Sequence, residues 1–335
     1  MSRRRVVGWA LGVALAVGHA APAFAYLKLG LSVNGRPVTL KWNVPPVRYH
    51  VTERGVPGVN PMDFQAAVAR AFATWQAVPT ASIAYDFAGY TEALPLSDDG
   101  STTLGFRERP DLDRVLASTS FLIDASTGEL VESDIFFNAA FPWSTAAAGE
   151  AGKYDLESIA LHEIGHLSGL GHSALGETEL RAEGGRRVLA AESVMFPIAF
   201  AAGNISDRTL RADDIAGISD LYPDAGFRQT TGSVSGRVTK NGDGVFGAHV
   251  VAFNPANGRL VGTFALSAQG QFVIAGLSAG PHVIRVEPLD DADVDSFFAP
   301  ASNVDLDFRV TFFTKLVIVP RSGDSGAIEV KVVPK

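Results

Sequence analysis

Apolar and polar positions alternate in short runs near the start of the chain. Val38 to Trp42 and Val47 to Val51 alternate on either side of Pro45-Pro46, and Asn34-Gly35 is a strong hairpin-turn signal. The period then lengthens. Asn60-Pro61 opens a predicted helix in which Phe64, Val68, Ala71, Phe72 and Trp75 recur at helical spacing, so these aromatics are assigned to a core. Ser97 to Arg114 is polar and reads as a loop. Asp155 offers an N-cap for a second helix carrying Ile159 and Leu161. Pro223 to Thr231 reads as a linker, after which the texture turns to short β-rich runs separated by turns: Val234–Val238, Gly247–Phe253, Gly258–Leu266, Gly270–Ile274, His282–Val286, Phe308–Phe313, Lys315–Val319 and Ile328–Val333. Runs at that spacing predict a β-sandwich.

At 335 residues the chain has room for two domains. Arg3-Arg4-Arg5, an apolar run from Val6 to Val17 and Ala23-Phe24-Ala25 make residues 1–25 an expected signal peptide cleaved before Tyr26. The apolar run falls short of the ~20 residues of a spanning helix, so no stable membrane insertion is expected after cleavage. The net charge of −8 becomes −11 once the leader's three arginines are gone, which argues against nucleic acid as a partner. There is no cysteine, so an exported protein of this sequence must be stable without disulfides.

The candidate chemistry lies in His162–His172, HEIGHLSGLGH. Four residues apart on a helix, His162 and His166 fall within about 40° on one face and roughly 6 Å apart along the axis, so two ring nitrogens can meet one metal. Gly169 can take φ > 0 cheaply, letting the helix stop and the chain turn back to bring His172 round as a third ligand. Three imidazoles hold Zn²⁺ and leave one tetrahedral position for water. Glu163 points off the ligand face, where a carboxylate can take a proton from that water.

These residues resemble the metzincin metalloproteases and, with Ser173 after the third histidine, the matrixins in particular. Ser193-Val194-Met195-Phe196-Pro197 resembles the family's Met-turn, and Arg211 to Tyr222 its closing helix. Ala71–Trp75 and Asp134–Asn138 resemble its first helix and fifth strand. The resemblance covers about residues 40 to 223 and implies an α+β fold, a twisted mixed sheet with an active-site helix. It implies one catalytic zinc on His162, His166 and His172, Glu163 as general base, and Met195 beneath the metal without ligating it. Leu116–Ser120, before a hairpin at Ser126-Thr127-Gly128, matches the edge strand along which an extended substrate pairs. The family's structural zinc would need further histidines in this region, so a single zinc is expected; His50 is read as a structural or surface residue. Ca²⁺ could sit on Asp98, Asp99, Asp111 and Asp113, or on Asp291, Asp293 and Asp295, although solvated acids are the preferred reading of both groups. With no cysteine, the family's cysteine switch is excluded. Glu177 to Ala191, polar and rich in Gly and Arg, reads as a surface loop inserted before the Met-turn.

Beyond the linker, Ser235-Gly236-Arg237-Val238, Gly247-Ala248-His249-Val250 and Gly270-Gln271-Phe272 resemble the regulatory-like, prealbumin-type domain of carboxypeptidases; His249 and His282 are read as strand residues. The expected organisation is a signal peptide (1–25), a matrixin-like domain (26–223), a linker (224–231) and an Ig- or prealbumin-like sandwich (232–335). The first domain is expected to act without the second. The function this implies is a secreted, monomeric zinc endopeptidase acting on extracellular proteins or peptides. The alternative is a surface or matrix-binding protein in which the zinc domain is a scaffold, and Glu163 separates the two because a scaffold needs no base.

Overall fold

In the computed structural model of the chain, residues 7–9, 28–33, 36–182, 184–299 and 302–335 are described. Apart from β1 (Val7–Trp9), the expected signal peptide lies outside these residues, as does the Asn34-Gly35 turn, although β2 (Gly30–Val33) and β3 (Arg36–Thr39) pair antiparallel on either side of it.

A six-stranded mixed sheet anchors the first half. Its strands are β4 (Val47–Thr52), β5 (Tyr85–Thr91), β6 (Thr102–Arg107), β7 (Ala117–Asp124) and β8 (Glu129–Asn138) together with β1, in the order β1-β7-β8-β6-β4-β5. β8, β6, β4 and β5 run parallel; β7 is antiparallel to β8, and β1 is antiparallel to β7. Helix α1 (Pro61–Gln76) starts where Asn60 Oδ1 accepts the Asp63 amide, and it buries Phe64, Val68, Ala71, Phe72 and Trp75 against the sheet. β9 (Trp143–Ser144) and β10 (Tyr154–Asp155) lead into α2 (Leu156–Leu167), whose cap Asp155 accepts the Ser158 amide at 2.9 Å. Arg208 grips both oxygens of that carboxylate and also donates to the carbonyls of Ala146 and Ala147, tying the start of α2 to two flanking segments.

One expectation needs correction, and two others gain detail. Residues 97–114 are not a continuous loop, because β6 lies within them, buried in the middle of the sheet. The acidic residues on the neighbouring strand hold the loop before β6 by backbone contacts: Asp134 accepts the amides of Leu96, Ser97 and Thr103, and Glu132 accepts that of Gly100. The expected surface loop at 177–191 carries a hairpin of β11 (Gly176–Leu180) and β12 (Arg186–Ala191). Residues 224–231, expected as a linker, include a short helix, α4 (Phe227–Thr230), separated by five residues from the end of α3 (Ala212–Leu221), and Phe227 is buried.

The C-terminal unit has two five-stranded sheets. β13 (Gly232–Lys240) is flanked by β14 (Asp243–Gly244), β17 (Gln271–Leu277), β21 (Gly323–Asp324) and β22 (Ile328–Val332). β15 (His249–Phe253), β16 (Leu260–Phe264), β18 (Gly280–Glu287), β19 (Thr311–Phe312) and β20 (Val317–Val319) form the second, antiparallel sheet. Val234, Phe272 and Ile274 of the first sheet and Val250, Ile284 and Val286 of the second share one apolar cluster, to which Ala216 of α3 also belongs. Helix α3 therefore belongs to both halves. An added Cβ on Gly276 of β17 would stand 2.7 Å from the Ala216 side chain, so glycine there permits the close approach. His249 and His282 lie on β15 and β18 as expected, but His249 is buried and its Nδ1 stands 3.0 Å from the Glu287 carboxylate.

Candidate metal centre

Helix α2 carries His162, Glu163 and His166 and stops in a turn made by Gly169, at φ +100°, whose added Cβ would meet Leu40 O at 2.4 Å. The last carbonyls of the helix are satisfied by side chains from distant segments: Trp42 Nε1 donates to Leu167 O at 2.8 Å, and Tyr222 Oη to Ser168 O at 2.7 Å. The turn delivers His172 to the other two histidines. Nε2 of His166 lies 3.1 Å from Nε2 of both His162 and His172.

Each of the three rings has its Nδ1 against a backbone carbonyl: Val194 O for His162 at 2.7 Å, Leu170 O for His166 at 2.8 Å and Ser296 O for His172 at 2.6 Å. A carbonyl only accepts, so each Nδ1 carries the proton and each neutral ring leaves an Nε2 lone pair facing inward. Burial, and then the charge of His172, holds the pKa of His162 down at about 3, and the same causes push His166 well below the ordinary histidine value. Burial lowers His172 as well. Three converging lone pairs at this distance repel one another unless a cation lies between them. Nitrogens about 2.0–2.1 Å from a tetrahedral zinc stand about 3.3 Å apart, close to the observed spacing, so the triad fits a zinc site. Among the described residues, no other set of three or more histidines, cysteines or carboxylates brings its ligand atoms within 4.8 Å of one another.

Glu163 is buried, 6% exposed, and its Oε2 accepts the Thr119 hydroxyl at 2.6 Å; burial pushes its carboxyl up to about 7, against that hydrogen bond. Thr119 lies on β7, so that strand and the carboxylate are linked directly; the strand expected at the sheet edge has β1 on its outer side among the described residues. Met195 is buried under α2, with its Sδ where a Cβ on Gly165 would come within 2.2 Å. The Met-turn itself is held by Asp214, which accepts the Ser193 hydroxyl at 2.5 Å and the Val194 amide at 3.0 Å. Its neighbour Asp213 accepts the Ser173 hydroxyl at 2.7 Å and the Gly262 amide of β16 at 2.8 Å.

Of the acids weighed for calcium, Asp111 is paired with Arg109. Asp291 accepts the Thr178 amide, and Asp293 stands 3.7 Å from Arg186. His50 is half-buried on β4, and among the described residues its Nδ1 has no hydrogen-bond partner. Sequence reasoning passed over Thr119, Asp213, Asp214 and the three carbonyls that orient the histidines. The two aspartates lie in the motif resembling the closing helix, whereas a carbonyl belongs to every residue and leaves no signal.

Three histidines whose spacing fits a zinc ion, with a buried carboxylate on the helix that carries two of them, have the make-up of a zinc metallopeptidase site. Residues 41–182 match the model of the Matrixin family of peptidases. Metalloendoproteinase 1 of Glycine max is 33% identical over 175 residues, 48% of this chain and 45% of that protein. Metalloendoproteinase 2-MMP of Arabidopsis thaliana is 34% identical over 132 residues, 39% of this chain and 28% of that protein. The matched stretch spans less than half the length of either relative. Among solved structures, the Bacillus anthracis TIE protein is similar over 31% of this chain and 17% of its own, at 22% identity and a TM-score of 0.19, which is too little to bear on the fold. The family match and the named relatives support a metalloendopeptidase of matrixin type. No helix among the described residues is long and apolar enough to cross a membrane.

Proposed function

We propose that the protein is an exported zinc endopeptidase that hydrolyses peptide bonds of extracellular proteins, with an accessory C-terminal β-sandwich. The observation that carries this reading is the convergence of three unprotonated Nε2 atoms beside a buried carboxylate, an arrangement that serves a metal and a base together. His162, His166 and His172 would hold the ion, which when bound supplies Lewis acidity to the scissile carbonyl and the attacking water. Glu163 takes the proton of that water and later returns it to the leaving amine, while Thr119 holds its carboxylate in place. An extended substrate pairs along β7. The only strand described on that edge is β1, which lies in the segment that export would remove, so cleavage before Tyr26 would open Ser120–Leu122 to a peptide.

Elemental analysis and a casein assay test this reading on the purified chain. One zinc per chain and cleavage abolished by a chelator are expected, and N-terminal sequencing of exported material should begin at Tyr26. Protein that holds zinc but cleaves nothing across a broad peptide library, with or without calcium, would instead favour the scaffold.

A further inference from the structure

Two of the three carbonyls that orient the histidines come from the half that carries the motif, but the third does not. His172 donates from Nδ1 to Ser296 O at 2.6 Å, across 124 residues, from a segment joining β18 to β19 in the C-terminal unit. That segment is held firmly. Phe297, fully buried, stands edge-on to the His172 ring with centroids 6.3 Å apart, and it clusters with Phe264, Phe298 and Leu289 against Ala174 and Ile198 of the first half. Thr178 on the β11–β12 hairpin clasps Asp291 twice, its amide donating to Oδ1 at 2.6 Å and its hydroxyl to the backbone carbonyl at 2.7 Å. Arg186 from the same hairpin donates to Asp290 O at 2.9 Å. Apart from Ala174 and Thr178, the residues that do this lie beyond the matched 41–182 segment.

We propose that residues 289–298 are a positioning element of the metal centre: the C-terminal unit fixes the tautomer and direction of the third ligand, and its docking, clamped by the 176–191 hairpin, sets the affinity for zinc. The inference rests on the reading of the triad as a zinc site. It gives the hairpin a purpose and removes the expectation that residues 26–223 act alone. A ligand whose outer hydrogen bond is lost keeps its nitrogen but not its orientation, which typically costs 10–100-fold in metal affinity.

The test is made on the full chain with zinc as the probe, by competition against a chromophoric chelator, together with the visible spectrum of the Co²⁺-substituted protein, which reports ligand geometry without reference to activity. Phe297→Ala and the anchor double variant Thr178→Val/Asp291→Ala should each weaken zinc binding about 10-fold or more and alter the cobalt bands. Ile318→Ser, on an exposed position of β20, should change neither. If Phe297→Ala fails to fold, the anchor variant decides alone. Folded anchor variant with zinc affinity and cobalt spectrum like those of wild type would overturn the proposal while leaving the zinc site intact. Wild-type protein that binds no zinc would overturn both.

Discussion

Thr119 holds the carboxylate that serves as base in the proposed mechanism, and its hydroxyl, 2.6 Å from Glu163 Oε2, contributes through charge and not through shape. Thr119→Val preserves the volume and removes the donor. A hydrogen bond to a charged group contributes about 1.5–3 kcal/mol, so kcat/KM on a peptide substrate should fall about 10–100-fold with zinc content unchanged. Activity within twofold of wild type would mean that something other than Thr119 positions Glu163. At this scale the motif was readable because histidine and glutamate announce their chemistry by type and spacing. Thr119 was not, because a threonine in a strand has an ordinary reading as a β-former.

The turn after α2 decides whether His172 reaches His162 and His166. At φ +100° Gly169 occupies backbone space that side chains avoid at roughly 1–2 kcal/mol, and Leu40 O closes the direction in which a Cβ would point. Gly169→Ala should therefore lower the urea midpoint by an amount worth about 2 kcal/mol or more at unchanged m-value, and weaken zinc binding with it. A variant as stable as wild type would show that the turn is not constrained as described. The elements with an apolar period, α1, α2, α3 and most of the C-terminal strands, were legible for the same reason that they are stable: one face is buried. β6 escaped notice because it is six residues long, sits between acidic loops and is buried on both faces, which suppresses alternation. The β11–β12 hairpin escaped for the opposite reason, with polar residues on both faces and no buried stripe.

At the scale of the whole molecule, Asp213 joins the two halves by binding Ser173, next to the third ligand, and Gly262 of β16. Burial, reinforced by the adjacent Asp214, pushes its carboxyl up to about 7. Between about pH 4 and 7 the folded chain keeps a proton that the unfolded chain has released, so this contribution is present below the unfolded value and is lost as pH rises through 7, at most about 1.4 kcal/mol per pH unit. Asp213→Asn, neutral throughout, should lack that slope when the zinc-free proteins are unfolded in urea at pH 4.5 and pH 7; an equal stability difference between variant and wild type at both pH values would refute it. No pattern in the sequence shows that the two halves share a helix and the hydrogen bond between His172 and Ser296 O, because the contacts run through backbone groups and a surface hairpin. In the proposed mechanism, ligands and base are separate residues serving one hydrolytic centre. Glu163→Gln tests it most directly, with zinc content and casein cleavage measured on the same preparation beside wild type. One zinc per chain with proteolysis reduced about 10²–10⁴-fold is the expected result; unchanged cleavage by the zinc-loaded variant would contradict the account, because another group would then be activating the water.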